Sequence, residues 1–560
     1  MDVGEMQKKL SEKAEKEIEH QFENLYSLLQ NMDWLRAAHK HINTNAGRDT
    51  AGIDGERMRD FNEHLEENLG KLREQLKAKI FEPMPVRRVY IPKPNGKKRP
   101  LGIPAIRDRI VQEALRMILE PIWEADFSVH SYGFRPNRST YDAMAYIGAR
   151  LAGSGGMSYQ WVIEGDITSY FDTIPHRRLI KAVKKRVADR DIRDLLWQFL
   201  RAGVMERDTR QETLTGTPQG GIVSPLLANI YLHAFDRYME SNYLQLTKWQ
   251  RTKRRREGKG NFLYVRFADD FIVLCNGTRA DAHKMKEELQ QQLAHMGLTL
   301  SEEKTKVTHI TEGFTFLGYQ IIRSMGQSGK MAPKVLIPDK AIKRIRYKMR
   351  EMLTPSTTNE SVNAKIMALN RLVQGWCQYY RATGSPSRIF SDLQHELIWG
   401  MAHWLGRKYK VNIPKIMRKF RKDSTFGTQS RKLAMFTEYK AKKLLVKTRH
   451  NPYTGTEQIV REVFLDYNKL WYGNENRPGW QDLREEVILT RGTTCERCGT
   501  ILHLSEVQVD HIIPRGKFRD PRVADRLENQ QVLCTPCHRK KTESDRKVLS
   551  RMPQKGQVRF

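Results

Sequence analysis

Two adjacent carboxylates stand between apolar arms in the segment Tyr264-Val-Arg-Phe-Ala-Asp-Asp-Phe-Ile-Val-Leu. Asp269 and Asp270 are costly to hold side by side without a cation. A hairpin that presents them at its tip is a way to gather carboxylates around two Mg2+ ions for phosphoryl transfer. Asp166, at the end of the apolar run WVIEGDI, is the natural third ligand. The alternative is that the acid pair is only a solvated turn, which is common for Asp.

A second group of chemically capable residues is formed by two CxxC pairs near the C-terminus. Cys495 and Cys498 form the first pair, and Cys534 and Cys537 the second. This pattern is typical of a closed tetrahedral zinc site with a structural role. Six cysteines in 560 residues are too few for a disulfide scaffold, so the spacing favours a metal in a reducing compartment.

The elements that must position these residues follow from hydrophobic periodicity. Residues 161–167 and 262–275 are rich in β-branched and aromatic side chains and predict strands. A basic hairpin is predicted over 86–104, helices are predicted after residue 338, and the insertion 248–260 is expected to be a mobile surface loop in contact with RNA. Helical periodicity is also present over 176–201, 222–243 and 279–297.

Composition and charge limit the class of partner. The chain has 560 residues, 39% of them hydrophobic, and a formal charge of +32, which implies a polyanionic partner such as nucleic acid. Residues 407–449 hold fifteen Lys and Arg against two acids. No run of eighteen apolar residues occurs and the N-terminus has no apolar core, so we expect no membrane association and a cytoplasmic protein.

Seven segments follow one another in a distinctive order: IPKPNGKKRPLGIPAIRDRIVQEAL (91–115), SYGFRPNRS (131–139), EGDITSYFDTIPH (164–176), GTPQGGIVSPLLANIYL (216–232), VRFADD (265–270), LTLSEEKTKVTHI (298–310) and FTFLGY (314–319). Their order resembles the reverse transcriptase of group II intron-encoded proteins, also called maturases. This family more often has Tyr before Ala-Asp-Asp, where this chain has Phe267, a familiar variant. The segment LVQGWCQYYRA (372–382) is similar to the family's thumb, called domain X.

The resemblance implies roles for individual residues. Asp166 and Asp269 would hold two Mg2+ ions, with the Ile167 carbonyl as a further ligand and Asp270 beside them. Phe171 would be the steric gate against a ribose 2′-hydroxyl. The alternative is that Phe171 is only an aromatic residue of the core. The nucleotide and primer contacts would come from Arg88 and Arg99 (triphosphate), Gln219 (incoming nucleotide) and Lys304 (primer end). Exposed Arg88, Arg99 and Lys304 side chains that meet only solvent are the alternative.

The segments VDHIIP (509–514), LENQQVLC (527–534) and CHRKKT (537–542) resemble an HNH nuclease. The resemblance implies that Asp510 and His538 bind one catalytic cation. His511 would deprotonate water as the general base, and Asn529 would fix the loop and orient the histidine. The alternative is an inert zinc knuckle with incidental histidines.

The alternation of strand and helix patterns predicts an α+β multidomain protein. The resemblances imply a right-hand reverse transcriptase, a helical thumb, a basic DNA-binding segment and a ββα-metal HNH nuclease. The expected partners are group II intron RNA, double-stranded target DNA and deoxynucleoside triphosphates. Two rival hypotheses are an RNA-binding maturase with a dead polymerase and an HNH homing nuclease that uses the rest only for binding. The predicted domains are 1–337 (fingers and palm), 338–406 (thumb), 407–473 (basic DNA-binding segment) and 474–560 (nuclease).

Overall fold

The chain forms two compact units in a computed structural model. Unit 1 comprises Met1–Thr140, Trp161–Val307 and Arg449–Glu457, and unit 2 comprises Tyr141–Gln160, Thr308–Thr448 and Gln458–Phe560. In the part of the chain that the structure describes, no helix is long and apolar enough to cross a membrane. The described residues are 1–92, 96, 98–151, 159–206, 209–211, 215–217, 220–325, 331–384, 386–447, 451–455, 459–463, 480–502, 506–514 and 526–549.

Helices dominate both units. The α-helices are α1 (Val3–Lys16), α2 (Tyr26–Leu29), α3 (Met32–Asn43), α4 (Met58–Glu63), α5 (Leu65–Lys77), α6 (Ile106–Glu124), α7 (Thr140–Leu151), α8 (Tyr170–Thr173), α9 (His176–Lys184), α10 (Arg190–Arg201), α11 (Ser224–Met239), α12 (Lys248–Arg256), α13 (Arg279–His295), α14 (Asp339–Met352), α15 (Val362–Tyr380), α16 (Ser387–Tyr409), α17 (Ile413–Phe420), α18 (Trp480–Arg491) and α19 (Thr535–Leu549). A π-helical turn, Glu240–Leu244, extends α11.

The strands are short and form several small sheets. They are β1 (Val86–Pro92), β2 (Lys98–Ile103), β3 (Trp161–Asp166), β4 (Val204–Glu206), β5 (Thr209–Gln211), β6 (Asn261–Phe267), β7 (Asp270–Asn276), β8 (Lys306–His309), β9 (Phe314–Phe316), β10 (Tyr319–Met325), β11 (Met331–Leu336), β12 (Arg421–Lys422), β13 (Thr425–Phe426), β14 (Leu444–Lys447), β15 (Ile459–Val463), β16 (Val507–His511) and β17 (Gln530–Cys534).

Unit 1 contains the two sheets that the sequence predicts. β1 and β2 pair antiparallel, as expected for the basic hairpin, and β1 also pairs in parallel with β4. The central sheet has the strand order β6-β7-β3-β8, in which β7 pairs antiparallel with both β6 and β3. One continuous apolar core, to which α6, α11 and α13 contribute, supports this sheet. The strands predicted at 161–167 and 262–275 are therefore confirmed.

The insertion at 248–260 corrects the sequence-based expectation. It contains α12 instead of a mobile loop. Thr247 caps the helix by accepting from the Gln250 backbone N–H at 3.2 Å, and the Gln250 side chain accepts from the Thr247 N–H at 2.8 Å. This reciprocal capping box supplies partners for two amide groups at the helix start.

Unit 2 contains the helices predicted after residue 338. Trp376 of α15 packs against Phe390 of α16 at a ring-centroid distance of 5.8 Å and against Phe436 at 6.0 Å. Tyr379 stacks on Tyr319 at 5.0 Å. These aromatic rings link α15 and α16 to the β9–β11 sheet and to the turn at 436–438.

The C-terminal part of unit 2 is a hairpin followed by a helix. β16 and β17 pair antiparallel, and α19 begins directly after β17. A small apolar core contains Val509 and Val532 from the strands and Ile488 from α18. A ββα arrangement is therefore present, as the sequence predicts.

A short segment far along the chain belongs to unit 1. The Asn451 side-chain amide donates to Ser11 Oγ of α1 at 2.7 Å. The Tyr453 hydroxyl donates to Glu120 Oε2 of α6, also at 2.7 Å, and Thr454 donates to Glu15 at 3.0 Å. This segment, Asn451–Gly455, therefore completes the surface of α1 and α6.

Candidate active sites

The three predicted carboxylates meet at one end of the central sheet. Asp166 is the last residue of β3 and lies directly opposite Asp270, the first residue of β7. Asp269 lies in the two-residue turn between β6 and β7, where Phe267 pairs with Asp270. The antiparallel register therefore brings together residues that are about a hundred positions apart in the sequence.

A buried network holds the turn that carries Asp269. Ala268 in this turn has a left-handed φ of 58°, which is strained for a residue with a Cβ. Arg266 Nη1 donates to the Ala268 carbonyl at 2.8 Å and to Asn229 Oδ1 at 2.9 Å. Asn229 in turn donates to the Gly133 carbonyl at 2.9 Å. A Cβ at Gly133 would lie 2.3 Å from the Ala268 nitrogen, so only glycine allows this approach.

The same arginine forms a fully buried ion pair. Arg266 and Asp236 are both 0% exposed, and the guanidinium contacts the carboxylate through Nε at 2.7 Å and Nη2 at 2.5 Å. The Tyr264 hydroxyl donates to Asp236 Oδ1 at 2.8 Å. Arg266, Asp236, Asn229 and Gly133 are site residues that the sequence patterns did not predict. An arginine in the middle of an apolar strand was the available signal.

Electrostatics at this end of the sheet favour a bound cation. Burial, and next the Asp166 carboxylate, raise the pKa of Asp269 above its usual value. Although Asp270 has an exposed edge, loss of hydration and then the Asp269 and Asp166 carboxylates raise its pKa to about 6. Crowded carboxylates of this kind are the oxygen donors that Mg2+ takes. The residues present therefore fit the expected magnesium site.

Lys304, the residue predicted to contact the primer end, lies beside the carboxylates. Its Nζ donates to Asp166 Oδ2 at 2.8 Å. This hydrogen bond raises the pKa of Lys304. The lysine supplies positive charge to the carboxylates from the segment that follows α13.

Phe171 and Ile167 lie next to the same strand end. Ile167 is buried and forms an isolated antiparallel bridge with Leu300. Phe171 is half-buried, packs edge-on against Phe134 at 6.1 Å, and accepts from the Thr217 N–H through its carbonyl at 2.6 Å. Gln219 lies outside the described residues.

The two arginines predicted to contact a triphosphate lie on the β1–β2 hairpin. Arg88 is opposite Gly102, and Arg99 is opposite Ile91. The Arg99 side chain is exposed and is close enough to Asp269 for its charge to oppose the rise in that pKa. The hairpin therefore places the positive charge of Arg99 near Asp269, whereas Arg88 is half-buried on β1.

The four cysteines near the C-terminus converge on one point. Their sulfur atoms all lie within 4.8 Å of one another, and Cys498 Sγ and Cys534 Sγ are 3.8 Å apart. Metal–sulfur bonds of about 2.3 Å in a tetrahedral site separate the sulfurs by about 3.8 Å. The cluster therefore has the size and the donor set that a zinc ion needs.

The predicted nuclease residues surround the β16–β17 hairpin. His538 Nε2 lies 3.9 Å from Asp510 Oδ2, too far for a hydrogen bond but compatible with a cation shared between them. His511 is buried, and its backbone N–H donates to Asp510 Oδ1 at 2.8 Å. Asn529 accepts from the Ile513 N–H at 2.9 Å and donates to the Ile513 carbonyl at 3.1 Å.

Lys541, which the sequence patterns did not predict as a site residue, also belongs to this group. Its Nζ lies 3.2 Å from Asp510 Oδ2, and it also contacts Asp545 one helical turn away on α19. Its place three residues after His538, on the helix that carries that histidine, was the available signal.

Comparisons with known proteins agree with this geometry. Residues 91–321 match the family model described as reverse transcriptase (RNA-dependent DNA polymerase). Residues 342–422, from α14 to β12, match the maturase-specific domain of group II introns. Residues 495–544 match the HNH endonuclease model.

One relative covers nearly all of the chain, and two others cover about two thirds of it. Protein YkfC of Escherichia coli K12 is 38% identical over 63% of this chain and 97% of its own length. The group II intron-encoded protein LtrA of Lactococcus lactis subsp. cremoris is 29% identical over 95% of this chain and 97% of its own. The putative COX1/OXI3 intron 1 protein of Saccharomyces cerevisiae is 33% identical over 65% of this chain and 46% of its own.

Proposed function

Since the chain belongs to the family of group II intron-encoded proteins, and is thus an RNA-directed DNA polymerase, a maturase and an HNH endonuclease, we propose that these activities act in turn at one DNA target. The protein helps the intron RNA to fold and splice, and the RNA inserts into one DNA strand. The nuclease then nicks the other strand, whose 3′ end primes cDNA synthesis. This is retrohoming by target-primed reverse transcription.

The polymerase site in this proposal is the carboxylate cluster at the end of β3 and β7. Asp166, Asp269 and the Ile167 carbonyl hold two Mg2+ ions, with Asp270 beside them. When bound, the ions supply charge neutralisation at the reacting phosphate and lower the pKa of the primer hydroxyl. Lys304 contacts the primer end near Asp166.

The nucleotide contacts complete that site. Phe171, which lies five residues after the end of β3, excludes a ribose 2′-hydroxyl. Gln219 lies against the incoming nucleotide. Arg88 and Arg99 of the β1–β2 hairpin bind the triphosphate. The exposure of Arg99 and its proximity to Asp269 support its part in this assignment.

The nuclease site in this proposal is built on the ββα arrangement. Asp510 and His538 hold one divalent cation, which supplies Lewis-acid stabilisation of the cleaved phosphate when bound. His511 removes a proton from water, and Asn529 fixes the loop that follows the histidine. Cys495, Cys498, Cys534 and Cys537 hold a structural zinc ion that keeps the hairpin and α19 together.

The proposed organisation is that of a right hand with an appended nuclease. Residues 1–337 form the fingers and palm, 338–406 the thumb, 407–473 a basic DNA-binding segment and 474–560 the nuclease. The partners are the intron RNA, double-stranded target DNA and deoxynucleoside triphosphates, in the cytoplasm. The fifteen basic residues at 407–449 bind phosphates without reading sequence, because point charges on the backbone carry no base information.

The observation that carries the proposal is the meeting of Asp166, at the end of β3, with Asp269 and Asp270 at the arginine-supported junction of β6 and β7. It argues against an RNA-binding maturase with a dead polymerase, because such a protein has no need to keep three carboxylates together. It also argues against a free-standing homing nuclease for the same reason.

The polymerase and nuclease centres are tested with two variants, each of which is assayed for both activities. Asp269→Ala removes a metal ligand and should abolish primer extension while leaving intron-RNA binding and splicing largely intact, because affinity comes from distributed basic residues. His511→Ala should lose second-strand cleavage but keep zinc, the fold and primer extension on an artificially primed RNA template.

Each variant serves as the control for the other. Normal primer extension by Asp269→Ala would contradict the polymerase assignment. Second-strand nicking at the wild-type rate by His511→Ala would mean that the general base lies elsewhere. Loss of both activities in either variant would show that the two centres are not independent.

A further inference from the structure

The helix α12 has two faces with different tasks. On one face, Arg251 Nη2 donates to the Leu244 carbonyl at 2.7 Å, and Arg254 donates to the Gly260 carbonyl through Nη2 at 2.9 Å. The Arg254 guanidinium also lies over the Tyr243 ring at 5.5 Å. These contacts attach α12 to the segments on either side of it.

The opposite face of α12 presents an aromatic ring among cations. Trp249, Lys253 and Arg256 follow one another at spacings of four and three, so they share one side of the helix. All three are exposed, and Trp249 is 69% exposed. Lys253 Nζ lies 5.4 Å from the centroid of the Trp249 ring. Trp249, Lys253 and Arg256 together form the α12 outer face.

The charge of α12 selects the class of partner. Six of its nine residues are Lys or Arg and none is acidic. Basic residues in the last turn stabilise a helix dipole, which accounts for part of this charge. The helix dipole does not account for the exposed Trp249 side chain, which carries no charge and is not packed in the core. An aromatic ring beside cations is the combination that stacks on a base and binds the adjoining phosphates.

The partner must offer an unpaired base. Bases inside a duplex are already stacked, so Trp249 can stack only on a base in a loop, a bulge or a single strand. Structured RNA displays such bases, whereas intact duplex DNA does not. A membrane surface fits less well, because an interfacial helix needs an apolar face and the outer face has one large apolar residue.

We propose that the α12 outer face docks a loop of the intron RNA, with an unpaired base on Trp249 and its flanking phosphates on Lys253 and Arg256. The proposal rests on the proposed function only for the identity of the RNA. The capping box of Thr247 and Gln250 supports it, because a preformed helix reduces the entropy lost on binding.

The test uses the full chain and a transcript of the intron RNA that contains this reading frame, with filter binding at several KCl concentrations. Trp249→Leu should bind about ten-fold more weakly, whereas Trp249→Phe, which keeps a stacking ring, should stay within about three-fold of wild type. The double variant Lys253→Gln/Arg256→Gln should lower the slope of log affinity against log salt by about 1.4, since each single-strand phosphate contact contributes about 0.7.

A matched control is Lys284→Gln, which removes an exposed lysine from α13 and should leave affinity and salt slope unchanged. Primer extension on poly(rA) primed with oligo(dT) should be normal in every α12 variant. Wild-type affinity for the transcript in both Trp249→Leu and the double variant would overturn the proposal. An equal loss of affinity for a 20-base-pair DNA duplex would also overturn it, because the face would then be an unspecific cationic patch.

Failure of the proposed function has a different outcome. In that case the wild-type protein itself would neither prefer the transcript over an unrelated RNA nor extend the primer. That result would overturn the docking proposal along with the function.

Discussion

A single guanidinium, that of Arg266, connects the packing of unit 1 to the position of its reactive carboxylates. It is fully buried, neutralised by Asp236, and bonded to the turn carbonyl of Ala268. A charge in such a place is tolerated because each of its nitrogens has a partner in the network. Arg266 is therefore a positioning residue for Asp269.

The first prediction at the residue scale concerns this ion pair. Arg266→Met should lower the free energy of unfolding by about 3–5 kcal/mol, because it leaves the buried Asp236 carboxylate without a counter-charge. Asp236→Leu/Arg266→Met should be more stable than Arg266→Met, because the apolar pair leaves no charge uncompensated. Urea unfolding measures both effects.

Primer extension separates position from stability in the same variants. Both should extend primers poorly even below their unfolding transitions, because neither has a donor for the Ala268 carbonyl. Wild-type stability in Arg266→Met would contradict the stabilising role of the ion pair, and normal primer extension by the double variant would contradict the positioning role.

The sequence predicts the carboxylates of this site better than their supports. Asp166, Asp269 and Asp270 each end or begin an apolar run, which is a local pattern. The partnership of Arg266 with Asp236 is formed between β6 and α11, and no local pattern encodes it. Pairing between elements depends on tertiary packing, and so these supports became visible only in the structure.

At the scale of the elements, one glycine sets how closely β3 and β7 approach. Gly165 lies opposite Phe271, and a Cβ there would come within 2.2 Å of the end of the Phe271 ring. The ring cannot easily move, because it is buried against Phe235 at 5.5 Å and Tyr264 at 6.0 Å.

Gly165→Ala should therefore destabilise the protein by about 1–3 kcal/mol, the usual cost of overpacking a core. It should also reduce primer extension, because Asp166 is the next residue. Gly165→Ala/Phe271→Leu removes the clash and should recover part of both losses. Thermal unfolding and a primer-extension assay report the two effects. If Phe271→Leu gave no recovery, the ring would not be the cause.

The cysteine cluster gives the second prediction at this scale. Cys534→Ser should lower zinc content from about one ion per chain and unfold the ββα part locally, because structural zinc supplies much of the folding free energy of so small a core. Cys275→Ser is the matched control, since Cys275 is buried in β7 of unit 1 and should leave zinc content unchanged. Equal zinc content in both variants would rule out the four-cysteine site.

Periodicity predicted the elements with apolar faces and failed at α12. The strands at 161–167 and 262–275 and the helices after residue 338 each bury a stripe of apolar side chains. α12 buries none of its residues, so it has no hydrophobic period to detect. Its remaining signal was the Thr247 and Gln250 spacing of a capping box, which is short and easily overlooked beside so many charges.

At the scale of the whole molecule, the segment Asn451–Gly455 joins the late part of the chain to its first helices. The Tyr453 hydroxyl shares Glu120 with Arg116, whose Nη1 donates to Glu120 at 2.6 Å. Burial, and next the Glu120 carboxylate, raise the pKa of Tyr453 well above its usual value, so the hydroxyl stays protonated and donates.

Tyr453→Phe should lower the free energy of unfolding by about 1 kcal/mol, the net worth of one hydrogen bond. Tyr453→Ala also removes the half-buried ring and should lower it by about 2–3 kcal/mol. Chemical unfolding, monitored by hydrogen exchange of the α1 and α6 amides, measures the change in the free energy of unfolding. The same loss in Tyr453→Phe and Tyr453→Ala would mean that the ring contributes nothing to the contact.

Because Asn451–Gly455 belongs to unit 1, the order of synthesis matters for this protein. About 140 residues are made between Val307 and that segment, which takes a ribosome roughly 7–28 s at about 5–20 residues per second. During that time the nascent α1 and α6 present Ser11 and Glu120 without their final partners. A messenger truncated before codon 451 therefore encodes a unit 1 in which Ser11 of α1 and Glu120 of α6 lack the partners that Asn451 and Tyr453 supply.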